Sequence, residues 1–189
     1  MTFQQLESRL QTLAPQYTRL CSQVGQAQNE VLMAEMQVQR AEAEYDQYAR
    51  YSSYGLDEEH QQQLERIVTE LRYRVDAARG QLSAAEGRLQ AIQSQLAQVQ
   101  SDLRGLIDDY GQLKVELLGE LQKLEDAERK VAGLSANHYA HFAETMSKVA
   151  AAKRERQTTY QHCNTRIRQI RAALNEDEGK DPPVKVKTR

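Results

Sequence analysis

The sequence has no tryptophan, two phenylalanines, three prolines and nine glycines among its 189 residues. Aromatic side chains supply much of the buried area in thick globular cores, so their scarcity argues against a core of that kind. Proline and glycine are the strongest turn signals, and a chain poor in both has few places to turn. The remaining composition, rich in Gln, Ala, Glu, Leu and Arg, is typical of long helices or coiled coils.

Cysteine, net charge and long apolar runs are scarce as well. Cys21 and Cys163 form no CxxC motif or Cys/His cluster, so we expect two free thiols in a reducing compartment. The formal net charge of −2 argues against a general nucleic-acid binder, because such proteins are basic. No apolar run approaches the roughly 20 residues of a membrane span, and the first ten residues lack the features of a signal peptide. We expect a cytoplasmic protein.

Apolar residues recur at alternating spacings of three and four along most of the chain. All 14 positions of this register are apolar from Phe3 to Tyr48, 20 of 21 from Leu64 to Leu134, and nine of 11 from Tyr139 to Leu174. This heptad pattern makes a narrow seam that requires a partner helix. We therefore predict an all-α fold of three long helices that form an elongated antiparallel coiled coil. The predicted helices span about 2–52, 57–134 and 136–175.

Two stretches depart from this pattern. Pro15 falls inside the first helix, where it is expected to kink the helix or to separate a short helix of residues 2–12. Residues 176–189 have no periodicity, include Pro-Pro and end in alternating lysines, so we predict a disordered tail. The sequence thus predicts one elongated domain, residues 1–175, followed by the tail.

Short connections make consecutive helices antiparallel. For the first two helices we prefer a register that places Val31 opposite Ala78, because its turn falls at Gly55. A register shifted by one heptad places Val31 opposite Ala85 and also keeps the apolar layers in step. Its turn would fall near Glu58, in sequence that reads as helix.

The first and third helices both require the same part of the middle helix, around residues 96–106. The simplest arrangement is a local three-helix bundle around residues 96–121; the alternative is that this zone is the dimer interface of a larger assembly. The apolar face of the middle helix also widens here, through residues outside the strict seam: Ala97, Ile107, Leu118 and Leu121.

Polar residues interrupt two of the apolar seams. Glu120 is the single polar position in the middle seam, and in our alignment it faces Lys153 in the third. The other polar position of the third seam, Arg156, lies within reach of Glu116 and Glu120. A lone buried charge costs several kcal/mol whereas a paired one is tolerated, so we interpret Glu120, Lys153 and Arg156 as a set that fixes the register. The alternative is that each is a solvated break in a frayed region.

Four tyrosines follow one another at intervals of three: Tyr45, Tyr48, Tyr51 and Tyr54. They precede a turn, after which Asp57 suits the N-cap of the next helix. Tyr45 belongs to the seam, but the other three have no facing residue. They either cover the tip of the hairpin or form a partner-binding patch, because tyrosine is favoured at interfaces.

Recognisable catalytic chemistry is missing from the sequence. There is no phosphate-binding loop, dinucleotide fingerprint, zinc-protease motif or nucleophile elbow. His138 and His141 are three residues apart, but no carboxylate or thiol completes a metal-binding set in sequence. We predict a protein that is not an enzyme, with no catalytic residue, metal site, cofactor or small-molecule substrate.

Charge is unevenly distributed despite the balanced total. Residues 144–171 carry seven Lys and Arg against two Glu, and residues 102–128 carry eight acidic side chains against three basic ones. The predicted pairing lays these stretches along each other, so we expect mutual neutralisation. The alternative is a basic stripe for anionic lipid or nucleic acid.

These observations favour a non-enzymatic coiled-coil interaction protein: a rod-like adaptor, scaffold or assembly component. It would bind protein partners, including a second copy of itself, through its tips or flanks, and no nucleic acid is expected. Three long antiparallel helices with a kink also resemble BAR domains in outline, which implies a membrane-shaping dimer with a basic concave face. A third alternative is a stalk or chaperone of a secretion apparatus, to which the long hairpin is similar in shape. Such outlines are weak evidence for function.

Overall fold

The computed structural model of the chain describes residues 1–51, 57–132 and 139–175. These residues form three helices, α1 (Phe3–Ala49), α2 (Glu58–Ala132) and α3 (Tyr139–Ala173), and contain no strand. The all-α prediction with three long helices is confirmed. The predicted disordered tail of residues 176–189 lies outside the described residues.

The helix ends follow from local side-chain hydrogen bonding. At the start of α1, the backbone N–H of Gln5 donates to Thr2 Oγ1 and the N–H of Thr2 donates to Gln5 Oε1, which is a capping box. Asp57 caps α2 as predicted, because its carboxylate accepts a hydrogen bond from the backbone N–H of His60 at 2.9 Å. Beyond α3, Asn175 has a φ of 55°, a left-handed conformation that asparagine adopts readily at helix ends.

Pro15 does not divide α1 into two helices. α1 runs from Phe3 to Ala49 with Pro15 inside it, so the alternative of a separate helix over residues 2–12 is wrong. Proline has no backbone N–H, and the hydrogen bond to the carbonyl four residues earlier cannot form there. The helix therefore has a local weak point between its first turns and its remainder.

The chain divides into two compact units. Unit one contains Met1–Pro15 and the chain from Val99 onward; unit two contains Gln16–Gln98. The apolar seam runs past both boundaries without interruption, so the seam carries no signal for this division.

Unit two is an antiparallel pair formed by α1 and α2. Arg88 contacts Glu30 at 3.5 Å and Arg79 contacts Glu42 at 2.7 Å, so residue numbers rise along one helix as they fall along the other. Small and β-branched side chains dominate its core. The buried core residues are Leu20, Ala27, Ala34, Val38, Leu71, Val75, Ala78 and Ala85.

The ion pairs in unit two correct the preferred register. With Val31 opposite Ala78, Arg88 would lie about 14 Å along the helix from its observed partner Glu30. With Val31 opposite Ala85, Glu30 and Arg88 flank the same layer, as the structure has them. Both ion pairs lie closer to the shifted register than to the preferred one, for which only the position of the turn was considered.

Unit one brings together parts of all three helices. Phe3 of α1 lies against Tyr110 of α2 and His162 of α3, with ring centroids 6.1 and 5.9 Å apart. Four side chains of this unit are fully buried: Leu6, Leu106, Tyr110 and Cys163. None of the described side chains of unit two is buried to the same extent. Ile107, which lies outside the α2 seam, is also buried at 7% exposure. The three helices thus meet in the region where the sequence predicts a local bundle.

Candidate protein-interaction surfaces

α1 exposes three large apolar side chains outside the seam that packs on α2. Leu32, Met33 and Met36 are 54%, 59% and 55% exposed, although the neighbouring seam residues Ala34 and Val38 are buried. We refer to Leu32, Met33 and Met36 as the outer α1 patch. None of the described residues of unit two covers it.

The surroundings of the outer α1 patch carry little charge. Between residues 20 and 39 the charged residues are Glu30, which is paired with Arg88, and Glu35, which is exposed and lies between Met33 and Met36 in sequence. The cores of protein interfaces are depleted of charged residues and enriched in methionine, and clustered exposed apolar side chains mark interaction sites. The seam pattern drew attention to one face of α1 only; the run Val-Leu-Met-Ala at 31–34 was the signal for a second apolar face.

A shallow groove between α1 and α2 adjoins the patch. Asn29, Met33 and Gln37 line it from α1, and Gln81 and Arg88 line it from α2. Amide groups dominate its polar surface, and they can both donate and accept hydrogen bonds. The groove therefore offers neutral polar contacts beside the apolar ones.

The predicted tyrosine patch lies at the end of α1. Tyr48 and Tyr51 are 37% and 59% exposed, and their rings lie 6.0 Å apart at an angle of 55°. The backbone N–H of Tyr51 donates to the Tyr48 carbonyl at 3.1 Å, which places both residues in one terminal turn. Tyr54, the third predicted member, lies outside the described residues.

In the predicted register set Arg156 pairs with Glu120, which the alignment places within its reach, whereas Lys153 pairs with carboxylates other than Glu120. The Lys153 ammonium contacts Glu128 at 3.1 Å and Glu125 at 3.6 Å, whereas Arg156 contacts Glu120. The hydrogen bond from Lys153 to Glu128 raises the pKa of the lysine. The flexible lysine stem lets its ammonium reach carboxylates that lie one and two turns beyond Glu120 on α2. Glu120 and Arg156 are therefore brought together, and Lys153 is paired elsewhere.

Sequence analysis did not identify the polar cluster at the centre of unit one. The Glu7 carboxylate accepts two hydrogen bonds from Arg166 at 2.7 and 2.8 Å and one from the Tyr110 hydroxyl at 2.8 Å. Tyr110 is fully buried, and the Glu7 side chain is 19% exposed. Glu7 and Arg166 lie outside the apolar seams, so only their packing against a third helix reveals the cluster.

Burial and pairing shift the acidity of these groups. Burial alone would raise the pKa of Glu7, but the hydrogen bonds from Arg166 and Tyr110 outweigh it and lower that pKa. Burial, followed by the bond to Glu7, strongly raises the pKa of Tyr110. Glu7 is thus held ionised and Tyr110 protonated. The cluster fastens three helices through a complete set of donors and acceptors, and each of its three members already has a partner.

Thiols and imidazoles are dispersed over the described residues. Cys163 is fully buried, and burial raises its pKa to about 11, whereas Cys21 is exposed. His60 contacts Asp57, and His162 lies against Phe3. His138 lies outside the described residues. Among the residues described, no group of three His, Cys, Asp or Glu side chains is arranged to hold a metal ion.

Carboxylates pair with much of the basic stretch in α3. The ion pairs of this stretch among the described residues include those of Lys148, Lys153, Arg156 and Arg166. Lys153 and Arg156 pair with the acidic stretch of α2, as the neutralisation hypothesis predicts.

Comparisons with known proteins identify no relative: no family model, no curated protein and no solved structure matches the chain. Within the described ranges, no helix carries an apolar stretch that could cross a lipid bilayer.

Proposed function

We propose that the chain is a non-enzymatic interaction protein, an adaptor, scaffold or assembly component, that binds another protein through the outer α1 patch. The observation that carries this proposal is the exposure of Leu32, Met33 and Met36, each more than half exposed, on one side of α1. At this exposure the three side chains contribute little packing to the fold. Their burial against a partner would be favourable by about 25 cal/mol for each Å² removed from water.

The chemistry of the patch defines the kind of partner that fits it. Leu32 and the two methionines require apolar side chains opposite them, and methionine adapts its shape to irregular surfaces. The amides of Asn29 and Gln37 favour neutral polar groups at the edge. The partner surface is therefore an amphipathic one of low charge, such as the apolar face of a helix.

The tyrosines at the end of α1 offer a second contact of the same type. Tyr51 is as exposed as Met33, and paired aromatic rings present a large, rigid apolar area at a low cost in conformational entropy. The internal pairing of the basic stretch in α3 supports a protein partner over an anionic lipid surface, because much of its charge is already neutralised.

The test replaces the outer α1 patch while preserving the fold. The chain with Leu32→Gln, Met33→Gln and Met36→Gln is compared with wild type as bait in lysate from the source organism. Any captured protein is then purified, and its binding to both baits is measured by calorimetry. The matched control carries Val115→Gln and Leu118→Gln, which alter two side chains of unit one at 49% and 48% exposure.

The proposal predicts a stoichiometric complex with wild type and the control, and at least a tenfold weaker one with the patch variant. All three proteins should melt at similar temperatures, since exposed substitutions usually change stability by less than about 0.5 kcal/mol. A partner that binds the patch variant as tightly as wild type would overturn the assignment of this surface. Turnover of a substrate by the purified chain would contradict the non-enzymatic role.

A further inference from the structure

The first turns of α1 pack in a groove between α2 and α3. We refer to Met1–Pro15, which belongs to unit one, as the N-terminal arm. Leu6 of the arm is fully buried, and Phe3 lies against Tyr110 of α2 and His162 of α3. The arm therefore contacts both walls of the groove.

The groove and the arm match in polarity as well as in shape. Glu7 pairs with Arg166 of α3 and accepts a hydrogen bond from the Tyr110 hydroxyl. Arg9 donates a hydrogen bond to the Asp109 carboxylate of α2 at 2.7 Å. The apolar floor of the groove is at most 6% exposed and comprises Leu103, Leu106, Tyr110, Cys163, Ile167 and Ile170. The groove thus recognises a helix with an aromatic residue, a leucine three positions later, and then a glutamate and an arginine.

Pro15 lies at the end of the arm and at the boundary of unit one. Because proline supplies no backbone N–H, opening α1 at this point breaks one hydrogen bond fewer than opening it elsewhere in the helix interior. The arm can therefore separate from the rest of α1 at the place where separation costs least.

We propose that the groove between α2 and α3 binds the N-terminal arm of a second copy of the chain, through a reciprocal exchange of arms about Pro15. The second copy presents the same Phe3, Leu6, Glu7 and Arg9, so every contact of the closed chain forms again between the chains. Reciprocal exchange leaves neither groove empty, which is the condition for a closed domain-swapped dimer. This inference depends on unit one alone and is independent of the outer α1 patch.

Protein concentration decides which form dominates. A closed chain holds its own arm at an effective concentration in the millimolar range, which favours the monomer in dilute solution. Refolding at high concentration brings the arm of a second chain into competition. The exchanged form is then retained after dilution, because its release requires both arms to leave their grooves.

Cross-linking between two chains tests the exchange. One chain carries Arg9→Cys and the other Asp109→Cys, and both carry Cys21→Ser because Cys21 is exposed. The chains are unfolded, refolded together at high concentration, checked by circular dichroism and treated with a short bismaleimide. The matched control mixes Asp109→Cys with Lys148→Cys, which replaces an exposed α3 residue paired with Glu144 rather than with the arm.

Exchange predicts a covalent dimer at least tenfold more abundant in the first mixture than in the control mixture. Unsubstituted chain refolded in the same way should contain dimer by light scattering, and the dimer should persist on dilution. A single chain carrying both Arg9→Cys and Asp109→Cys should form a cross-linked monomer in dilute solution. The proposal is overturned if this chain closes on itself while the mixture yields no more dimer than the control.

The position of the hinge is tested with Pro15→Ala. This substitution restores one backbone hydrogen bond, so arm exchange should become about fivefold slower at an unchanged fold. Gln16→Ala, one residue further along, is the matched control and should leave the rate unaltered. An equal rate for Pro15→Ala and wild type would overturn the assignment of Pro15 as the hinge.

Discussion

Arg166 donates two hydrogen bonds to the carboxylate of Glu7, from Nε to Oε1 at 2.8 Å and from Nη2 to Oε2 at 2.7 Å. This bidentate geometry is the strongest form of an ion pair between side chains. Phe3 and His162, which are also in contact, are separated by as many residues as Glu7 and Arg166. Residue numbers therefore rise together along the arm and α3, which means that the two helices run parallel. A single carboxylate thereby joins α1, α2 and α3.

Replacing Glu7 should destabilise unit one more than any exposed charge does. Glu7→Leu leaves the buried Tyr110 hydroxyl without its acceptor and takes the carboxylate away from Arg166, which keeps only its hydrogen bond to Gln169. We expect a cost of about 2–3 kcal/mol. Glu7→Leu combined with Arg166→Leu should recover part of this loss. Urea unfolding of the two single variants and the double variant measures the coupling.

Removal of an exposed ion pair provides the comparison. Arg79→Leu breaks the ion pair between Arg79 and Glu42, which are 61% and 41% exposed. This loss should cost about 0.2–1 kcal/mol of unfolding free energy. If Glu7→Leu costs no more than Arg79→Leu, the cluster does not hold unit one together.

The Glu7 cluster also predicts a dependence of stability on pH. The folded pKa of Glu7 is lowered, so its stabilising contribution is fully present above the ordinary value of 4.5 and is lost as pH falls through the folded pKa. The difference in unfolding free energy between wild type and Glu7→Gln should therefore be constant at neutral pH and shrink in acid. A difference that stays constant down to about pH 2 would contradict the ionised state of Glu7.

Lys153→Leu should leave stability unchanged or raise it. A loss would be expected if Lys153 faced a buried Glu120, as in the alignment, because the glutamate would be left as a lone buried charge. In the structure Glu125 and Glu128 are 49% and 41% exposed, so both stay hydrated without the lysine, and a leucine at this position would extend the apolar seam. Thermal melts of Lys153→Leu and of Arg154→Leu, its exposed neighbour, measure this effect. A clear loss confined to Lys153→Leu would indicate that these carboxylates need their partner.

The two thiols should differ greatly in reactivity. Cys21 is exposed, whereas Cys163 is fully buried. Burial raises the pKa of Cys163 to about 11, so only a small fraction of this thiol is in the reactive thiolate form at mildly alkaline pH. Maleimide labelling of the native chain should modify Cys21 within minutes and Cys163 only as the arm opens. Mass spectrometry after partial labelling identifies the modified residue. Equal labelling of both would show that the groove is open to solvent.

The tyrosine pair should contribute to binding and not to stability. Tyr48→Ser and Tyr51→Ser remove two exposed rings, so the unfolding free energy should change by less than about 0.5 kcal/mol. Affinity for a partner identified with the outer α1 patch should fall if the rings contribute to the same interface. Tyr73→Ser, which alters a side chain at 71% exposure on α2, is the control. Unchanged affinity in the tyrosine double variant would confine the interface to the patch.

Periodicity alone was sufficient to predict the helices. The seams from Phe3, Leu64 and Tyr139 gave the fold class and, to within a few residues, the observed limits of the helices. The same seams could not give the register, because a shift of seven residues leaves every apolar layer in place. They could not reveal the outer α1 patch either, since Leu32 and Met36 fall outside the repeat.

Contacts among three helices were beyond the reach of pairwise reasoning. Glu7 and Arg166 read as ordinary surface charges in a two-helix picture, and their pairing requires the arm to lie beside α3. Ile107 gave a partial signal, because an apolar residue outside the seam indicates a second neighbour. The role of the tyrosines and of the patch in binding stays a prediction.

The ion pairs across unit two separate two properties that are often attributed to the same residues. The apolar seam supplies most of the free energy that holds α1 against α2, yet it is indifferent to which heptad meets which. Glu30, Glu42, Arg79 and Arg88 contribute little free energy, but they distinguish one alignment from its neighbour. Substitution of these four residues should therefore hardly lower the melting temperature. It would nevertheless remove the contacts that favour one alignment of α1 on α2 over an alignment shifted by seven residues.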